Sequence, residues 1–337
     1  MKKSIINVLK IVVPLLLGLY IFWYFWSSFD EVQKDNFIKV FKEADYFWVF
    51  VALVIGFISH LSRAIRWKYA LKPLGHQPST FNSYNAIMVG YIANIVVPRM
   101  GEASRAGVLK ATDNVPFDKG FGSIVAERVI DVICLGIITG TALLFNFEKV
   151  FELYEILKEP KKTAESEGGI STLMILGIIA TVGLIAFVIL LKVKPQIKDK
   201  LKEFVKGLKD GFLSILKMKD RVPYIVHTLI IWGCYVGMFW VVFFTTDFTK
   251  GLPASAIMIG FVAGTIGFII TQGGIGTYPI MVGSVVTFYR TPELLLESGA
   301  TGQDVGFGML VWASQTILIV VLGLVSLALV QKKKKKI

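Results

Sequence analysis

The chain has 337 residues, of which 54% are apolar and only 18% charged, and its formal net charge is +12. That balance excludes an ordinary soluble fold and places the chain in the membrane class, where a basic excess reports loop topology rather than nucleic-acid binding. Cys134 and Cys234 fall inside apolar stretches, and His60, His76 and His227 are scattered, so no disulfide framework, metal site or cofactor is expected.

A helical bilayer crossing needs roughly 20 mainly apolar residues. The first such stretch, 8–26, follows Lys2 and Lys3, exceeds a signal-peptide core and precedes no small-residue cleavage site, so it reads as a retained helix. Segment 31–44 sets Val32, Phe37, Val40 and Phe41 among charges, the pattern of an amphipathic connector lying on a surface. A second crossing, 46–61, is closed by Arg63 and Arg66, and arginines at such an end ordinarily reach toward headgroups. The next stretch, 84–97, is too short to cross and breaks at Pro98-Arg99-Met100-Gly101-Glu102, with a polar return through Arg105 to Lys110. Helix breakers at membrane depth make it a re-entrant hairpin. The third crossing, 121–147, carries Glu127, Arg128 and Asp131 well inside it. There Glu127 and Asp131 share a face at i,i+4, and Arg128 neighbours Asp131 at i,i+3.

The second half repeats this order. An acidic loop, 148–169, leads to a fourth crossing, 170–191, and an amphipathic basic connector, 195–218, leads to a fifth, 224–244. Stretch 252–271 then runs into Gln272-Gly273-Gly274-Ile275-Gly276 and returns through 278–288, again too short to cross. Thr277 is the expected N-cap of that return arm, and Pro279 suits its first turn. A sixth crossing, 307–330, ends in the lysines of 332–336. The basic connector and both termini belong in the cytoplasm, which requires the first hairpin to enter from inside and the second from outside. The expected fold is therefore an all-α polytopic membrane protein of six full transmembrane helices plus two opposed re-entrant hairpins in an inverted-topology repeat. Its parts are 1–147, the extracytoplasmic loop 148–169, 170–330 and a basic tail, 331–337.

Two hairpin tips meeting near the midplane imply a polar cavity, and each second arm aims a helix N-terminus, which attracts anions, at that point. Arg99, Glu102 and Arg105 lie at the first break, where an ionised side chain costs about 2.5 to 3.5 kcal/mol on insertion scales and needs a partner. Two readings stay open for these residues together with Glu127, Arg128 and Asp131. One is a structural salt-bridge network. In the other, planar guanidiniums clamp a phosphate while the carboxylates orient them or bind a coupling cation or proton. The candidate substrate-binding set adds Asn94, Gln272, Gly273, Gly274, Gly276 and Thr277 at the tips, and Arg63 and Arg66 beside them.

The run NIVVPRMGEASR (Asn94 to Arg105), the ERVID of Glu127 to Asp131 and the GGIG of Gly273 to Gly276, in that order, resemble the motifs of the lysylphosphatidylglycerol synthase transmembrane, or flippase-like, family. The resemblance spans about 5–330. It implies a bacterial inner-membrane protein similar to the lipid-flipping half of the multiple peptide resistance factor. Many members carry Glu three residues after the last glycine of GGIG, where this chain has Pro279. No stretch here is long enough for a soluble synthase half, so lysyltransferase activity is not implied. The expected function is translocation of a phosphate-bearing phospholipid or isoprenoid-linked lipid. The expected partners are membrane lipids with anionic headgroups, not nucleic acid, and a homo-oligomer or an envelope-enzyme partner is compatible with the sequence. The alternatives are a non-transporting partner subunit of an envelope-lipid enzyme and an intramembrane transferase.

Overall fold

The computed structural model describes residues 2–97, 99–158, 218–297 and 299–334. Among these residues the protein is entirely helical. The expected crossing 170–191, nearly all of the connector 195–218 and the second half of the loop 148–169 lie outside them, as do the last residues of the basic tail.

Among the described residues, four helices are long and apolar enough to cross a bilayer: Tyr46–Leu74, Phe117–Phe145, Arg221–Thr245 and Gly302–Lys332. They correspond to α3 (Tyr46–Leu71), α6 (Phe117–Phe145), α8 (Arg221–Val242) and α13 (Gly302–Lys334). Large apolar side chains such as Ile137 on α6, Leu229 on α8 and Ile317 on α13 are more than 60% exposed, whereas Ser59, Ser62, Arg63 and Arg66 of α3 are buried. Apolar outside and polar inside is the arrangement that suits lipid surroundings and not water. The stretch expected to cross first forms α1 (Lys2–Ser28). The amphipathic connector is α2 (Glu31–Glu43), capped by Asp30, with Phe37 and Val40 turned into the core. Its neighbours there are Phe22, Trp26 and Val305.

Two helical hairpins sit among these long helices. The first pairs α4 (Thr80–Val96) with α5 (Met100–Asp113), and α7 (Phe147–Lys158) follows α6. The second comes after the short α9 (Asp247–Lys250) and pairs α10 (Ala254–Ile270) with α11 (Thr277–Arg290). The short α12 (Pro292–Glu297) then leads to α13. The arms have the same lengths in both hairpins, 17 and 14 residues. At 1.5 Å per residue those arms are ~26 and ~21 Å long, short of the ~30 Å hydrocarbon layer. Each hairpin is tight because glycine lets backbones touch. A Cβ on Gly101 would lie 2.5 Å from the Gly90 carbonyl oxygen, and one on Gly267 would lie 2.9 Å from Tyr278 Cα.

The hairpins open at opposite ends of the bundle. The base of the first lies where α3 ends and α8 begins, near the Lys72 to Asp220 ion pair, with Ser79 N donating to Asp113 Oδ1 across it. The base of the second lies beside α2 and the start of α13, where Thr301 N donates to Thr287 Oγ1. Helix α13 runs past both. Its Gly308 meets the backbone of Pro279 in the second hairpin, its Val305 meets Gly283, and its Gly323 meets Met88 and Ile92 of the first.

Candidate functional site

The first tip is the turn between α4 and α5. Arg99 immediately precedes α5 with φ 64 and ψ 8, a left-handed conformation that L side chains enter at a cost of roughly 1–2 kcal/mol. Asn94 Oδ1 accepts from Gly101 N at 2.6 Å and so satisfies one of the free donors of the first turn of α5. The second tip is built the same way by glycine: Gly276, with φ 77, immediately precedes α11. Thr277 is therefore not the N-cap expected from sequence but the first helical residue. Its hydroxyl is used instead to tie the arms together, donating to Gly267 O and pairing with Thr271 Oγ1 at 2.6 Å.

The tips touch. Gln272 Nε2 donates to Ile95 O at 3.0 Å and lies 3.4 Å from Asn94 O, the carbonyls left free at the end of α4. Trp312 Nε1 donates to Gly273 O at 2.7 Å, and Gly18 of α1 lies against Ile275 and Gly276. Gln272 Oε1 is buried without a donor, and Arg99, exposed, has no hydrogen-bond or ion-pair partner among the described residues.

The remaining charged candidates do not sit at the tip. They form one cluster between α3, α5, α6 and α8. Arg63 donates to Asp131 Oδ2 at 3.0 Å and to the Tyr235 hydroxyl at 3.1 Å. Arg66 donates to Asp131 Oδ1 at 3.0 Å and to Thr228 Oγ1 at 3.2 Å, with its Nε 3.7 Å from Glu127 Oε1. Arg105 donates to Glu127 Oε2 at 2.9 Å and stacks on Trp67 at 4.2 Å, and Trp67 Nε1 in turn donates to Ser123. Arg128 reaches Glu102 at 3.2 Å and Asp131 at 3.6 Å. Arg66 and Glu127 have no exposed surface at all, and Arg63 and Arg105 have 2% each.

Two sequence expectations change here. Arg63 and Arg66 do not reach outward to headgroups, because α3 continues for two further turns to Leu71 and carboxylates of α6 hold both side chains inside. Arg105 lies beyond the first turn of α5 and faces α6 rather than the second tip. The sequence reading missed Trp67, Thr228, Tyr235 and Ser123. Tyr224, Thr228, Ile231 and Tyr235 form a helical stripe on α8, three of its four positions polar in a span that is otherwise apolar apart from Arg221 and His227, and that spacing is the signal that was there to be read.

The cluster holds four guanidiniums and three carboxylates, so one positive charge is in excess. Nε of Arg63, Nε of Arg66 and both Nε and Nη1 of Arg105 are buried with no acceptor, against one carboxylate oxygen, Glu127 Oε1, buried with no donor. Buried donors are normally paired, and each one left over needs an explanation. Planar guanidiniums with free N–H groups are the arrangement that receives phosphate or carboxylate oxygens.

These features define a polytopic helical membrane protein with a buried arginine cluster and two hairpins meeting tip to tip. Residues 11–323 match the family described as the lysylphosphatidylglycerol synthase TM region, and the chain belongs to that family. It is 34% identical over 114 residues to the glycosyltransferase AglD of Haloferax volcanii, a match covering 34% of this chain and 18% of that protein. It is 27% identical over 126 residues to the UPF0104 membrane protein MJ1595 of Methanocaldococcus jannaschii, 36% of this chain and 38% of the relative. Over 251 residues it is 25% identical to the UPF0104 membrane protein PH1989 of Pyrococcus horikoshii, 67% and 70% of the two chains. The match thus takes in less than half the length of the first two relatives. No solved structure matches the chain.

Proposed function

We propose that the protein translocates a phosphate-bearing lipid, a phospholipid or an isoprenoid-linked one, across the inner (plasma) membrane of a bacterium, with both termini in the cytoplasm. In this reading the hairpins are re-entrant and opposed, and six crossings with the two hairpins form the inverted repeat of 1–147 and 170–330. The headgroup passes the contact of the tips, where Asn94, Arg99, Gln272, Gly273, Gly274, Gly276 and Thr277 gather, while the hydrocarbon chains stay in lipid. Arg63, Arg66, Arg105 and Arg128 receive the phosphate on the way, positioned by Glu102, Glu127 and Asp131. The observation that carries the proposal is the surplus cation of the buried cluster together with its unpaired guanidinium N–H groups. Supporting it, Arg99 occupies a left-handed position that glycine fills in the other hairpin, and strain retained at one residue points to a use for its side chain.

The test is lipid scrambling in proteoliposomes, read as the fraction of a chain-labelled fluorescent phospholipid or polyprenyl phosphate accessible to a membrane-impermeant quencher. Arg99→Ala is expected to reduce translocation to the protein-free background while the variant keeps its thermal stability. Translocation at the wild-type rate by that variant refutes the reading. The match to a glycosyltransferase favours one alternative, a membrane subunit that serves a separate envelope-lipid enzyme. Co-purification of such an enzyme, with no translocation by the wild-type protein alone, would decide for it.

A further inference from the structure

At the end of the bundle opposite the arginine cluster, a cleft of about 210 Å³ opens between α2, the end of α11 and the start of α13. Gln33, Asn36, Arg290, Thr291, Thr301 and Gln303 line it, with Leu294 as its apolar contact. All six polar residues are half-buried, so each keeps one side toward the space. Gln33 and Asn36 stand three apart on one face of α2. The Gln33 carbonyl accepts from Gly302 N, which fixes the amide and leaves its NH₂ to donate. The Asn36 amide has no partner among the described residues.

The electrostatics of this cleft differ from those of the arginine cluster. Arg290 is its one cationic lining group, and Asp304, fully buried beneath it, neutralises that charge. Asp304 also accepts from Thr287 and Thr301 at 2.8 Å each. Arg290 is held flat on Phe248, 4.4 Å from the ring centre, and donates to Gln303 Oε1 at 3.3 Å. No surplus positive charge remains among the lining residues for an anion; on α2 Lys34 and Lys39 are paired with Glu31 and Glu43, which leaves the exposed Asp35 and Glu293 on the flanking helices to oppose one. A cationic ligand would face the Arg290 guanidinium. What remains is a set of amides, hydroxyls and a planar guanidinium edge, able both to donate and to accept. The volume equals about seven waters at about 30 Å³ each, the space of one pyranose ring with its hydroxyls.

From these observations we infer that the cleft is a binding site for a neutral, polyhydroxylated ring, a single sugar residue of a glycan or glycolipid. This site is separate from the phosphate-handling cluster and stands or falls independently of it. The test uses the full chain in nanodiscs and a panel of methyl glycosides, including glucoside, galactoside and N-acetylglucosaminide, with binding measured by saturation-transfer NMR and inorganic phosphate as competitor. At least one glycoside is expected to bind saturably and to resist displacement by phosphate. Asn36→Ala and Gln303→Ala should each weaken it about tenfold. Asn36→Ser should recover part of the loss, and Lys42→Ala, exposed on another side of α2, should bind as wild type does. The inference is overturned if no glycoside binds the wild-type protein, if phosphate competes, or if binding survives both cleft variants unchanged.

Discussion

Glu127 joins the two halves of the arginine cluster, and its replacement has a cost that follows from its contacts. Glu127→Leu removes the acceptor of Arg105 at 2.9 Å and a counter-charge of Arg66 at 3.7 Å, in a place with no exposed surface. Four guanidiniums are then left against Asp131 and Glu102. Breaking a buried ion pair from one side costs about 3–5 kcal/mol, because the orphaned charge stays out of water. That is a large share of the roughly 5–15 kcal/mol that holds a typical domain together. Replacing both partners by apolar groups of similar volume is neutral or favourable by about 1–4 kcal/mol, so adding Arg105→Met to Glu127→Leu should restore much of the loss. Methionine also keeps an apolar contact with Trp67 in place of the stacked guanidinium. The assay is thermal unfolding in nanodiscs followed by tryptophan fluorescence. At about 2–4 °C per kcal/mol, Glu127→Leu should lower Tm by about 6–20 °C, and the double variant should regain at least about 4 °C. A double variant that melts no higher than Glu127→Leu would show that the two side chains are not coupled in the way their geometry indicates.

Three further outcomes follow from other contacts. Arg99→Gly should raise stability by up to about 1 kcal/mol, since φ 64 no longer opposes a Cβ, while lipid translocation is lost; a fall in Tm would contradict the strained turn. Gly276→Ala should destabilise by more than about 2 kcal/mol, because φ 77 disfavours a side chain and the new methyl meets the Gly18 carbonyl; unchanged melting would remove the close packing of α1 on the second tip. Lys72→Ala should cost less than about 1 kcal/mol, as its 2.7 Å pair with Asp220 is half exposed; a larger drop in Tm would assign that bridge an unexpected structural weight.

The hairpins were legible because the residues that break them are punctuation: Gly273, Gly274 and Gly276 take positive φ, and Arg99 follows a proline at a position where the apolar run stops short. The four long helices were legible from apolar length alone, but their ends were not. The apolar run of the second crossing stops at Leu61, before Arg63 and Arg66, but their charges are answered by Asp131 and Glu127 some 60 residues later and the helix continues. A single sequence carries no record of such pairing across helices. The spacing of Glu127, Arg128 and Asp131 on one helix was visible, and the Arg128 to Asp131 contact follows from it. The stacking of Arg105 on Trp67 and the donation of Arg63 to Tyr235, 172 positions away, required the fold. Thr277 was misread because an N-capping residue type stood one position inside the helix, where Gly276 supplied the turn.

The two hairpins are fastened unequally to α13. At Gly283 and Gly308 the second one has main chain against main chain, leaving no side-chain layer between it and the first half of α13. The first meets the far half of α13 at Gly323 through the side chain of Ile92 and the Met88 carbonyl, and it meets the opposite tip through one neutral amide, Gln272. On the reading proposed above, a passage between the tips would have to break the bond that this amide makes to Ile95 O.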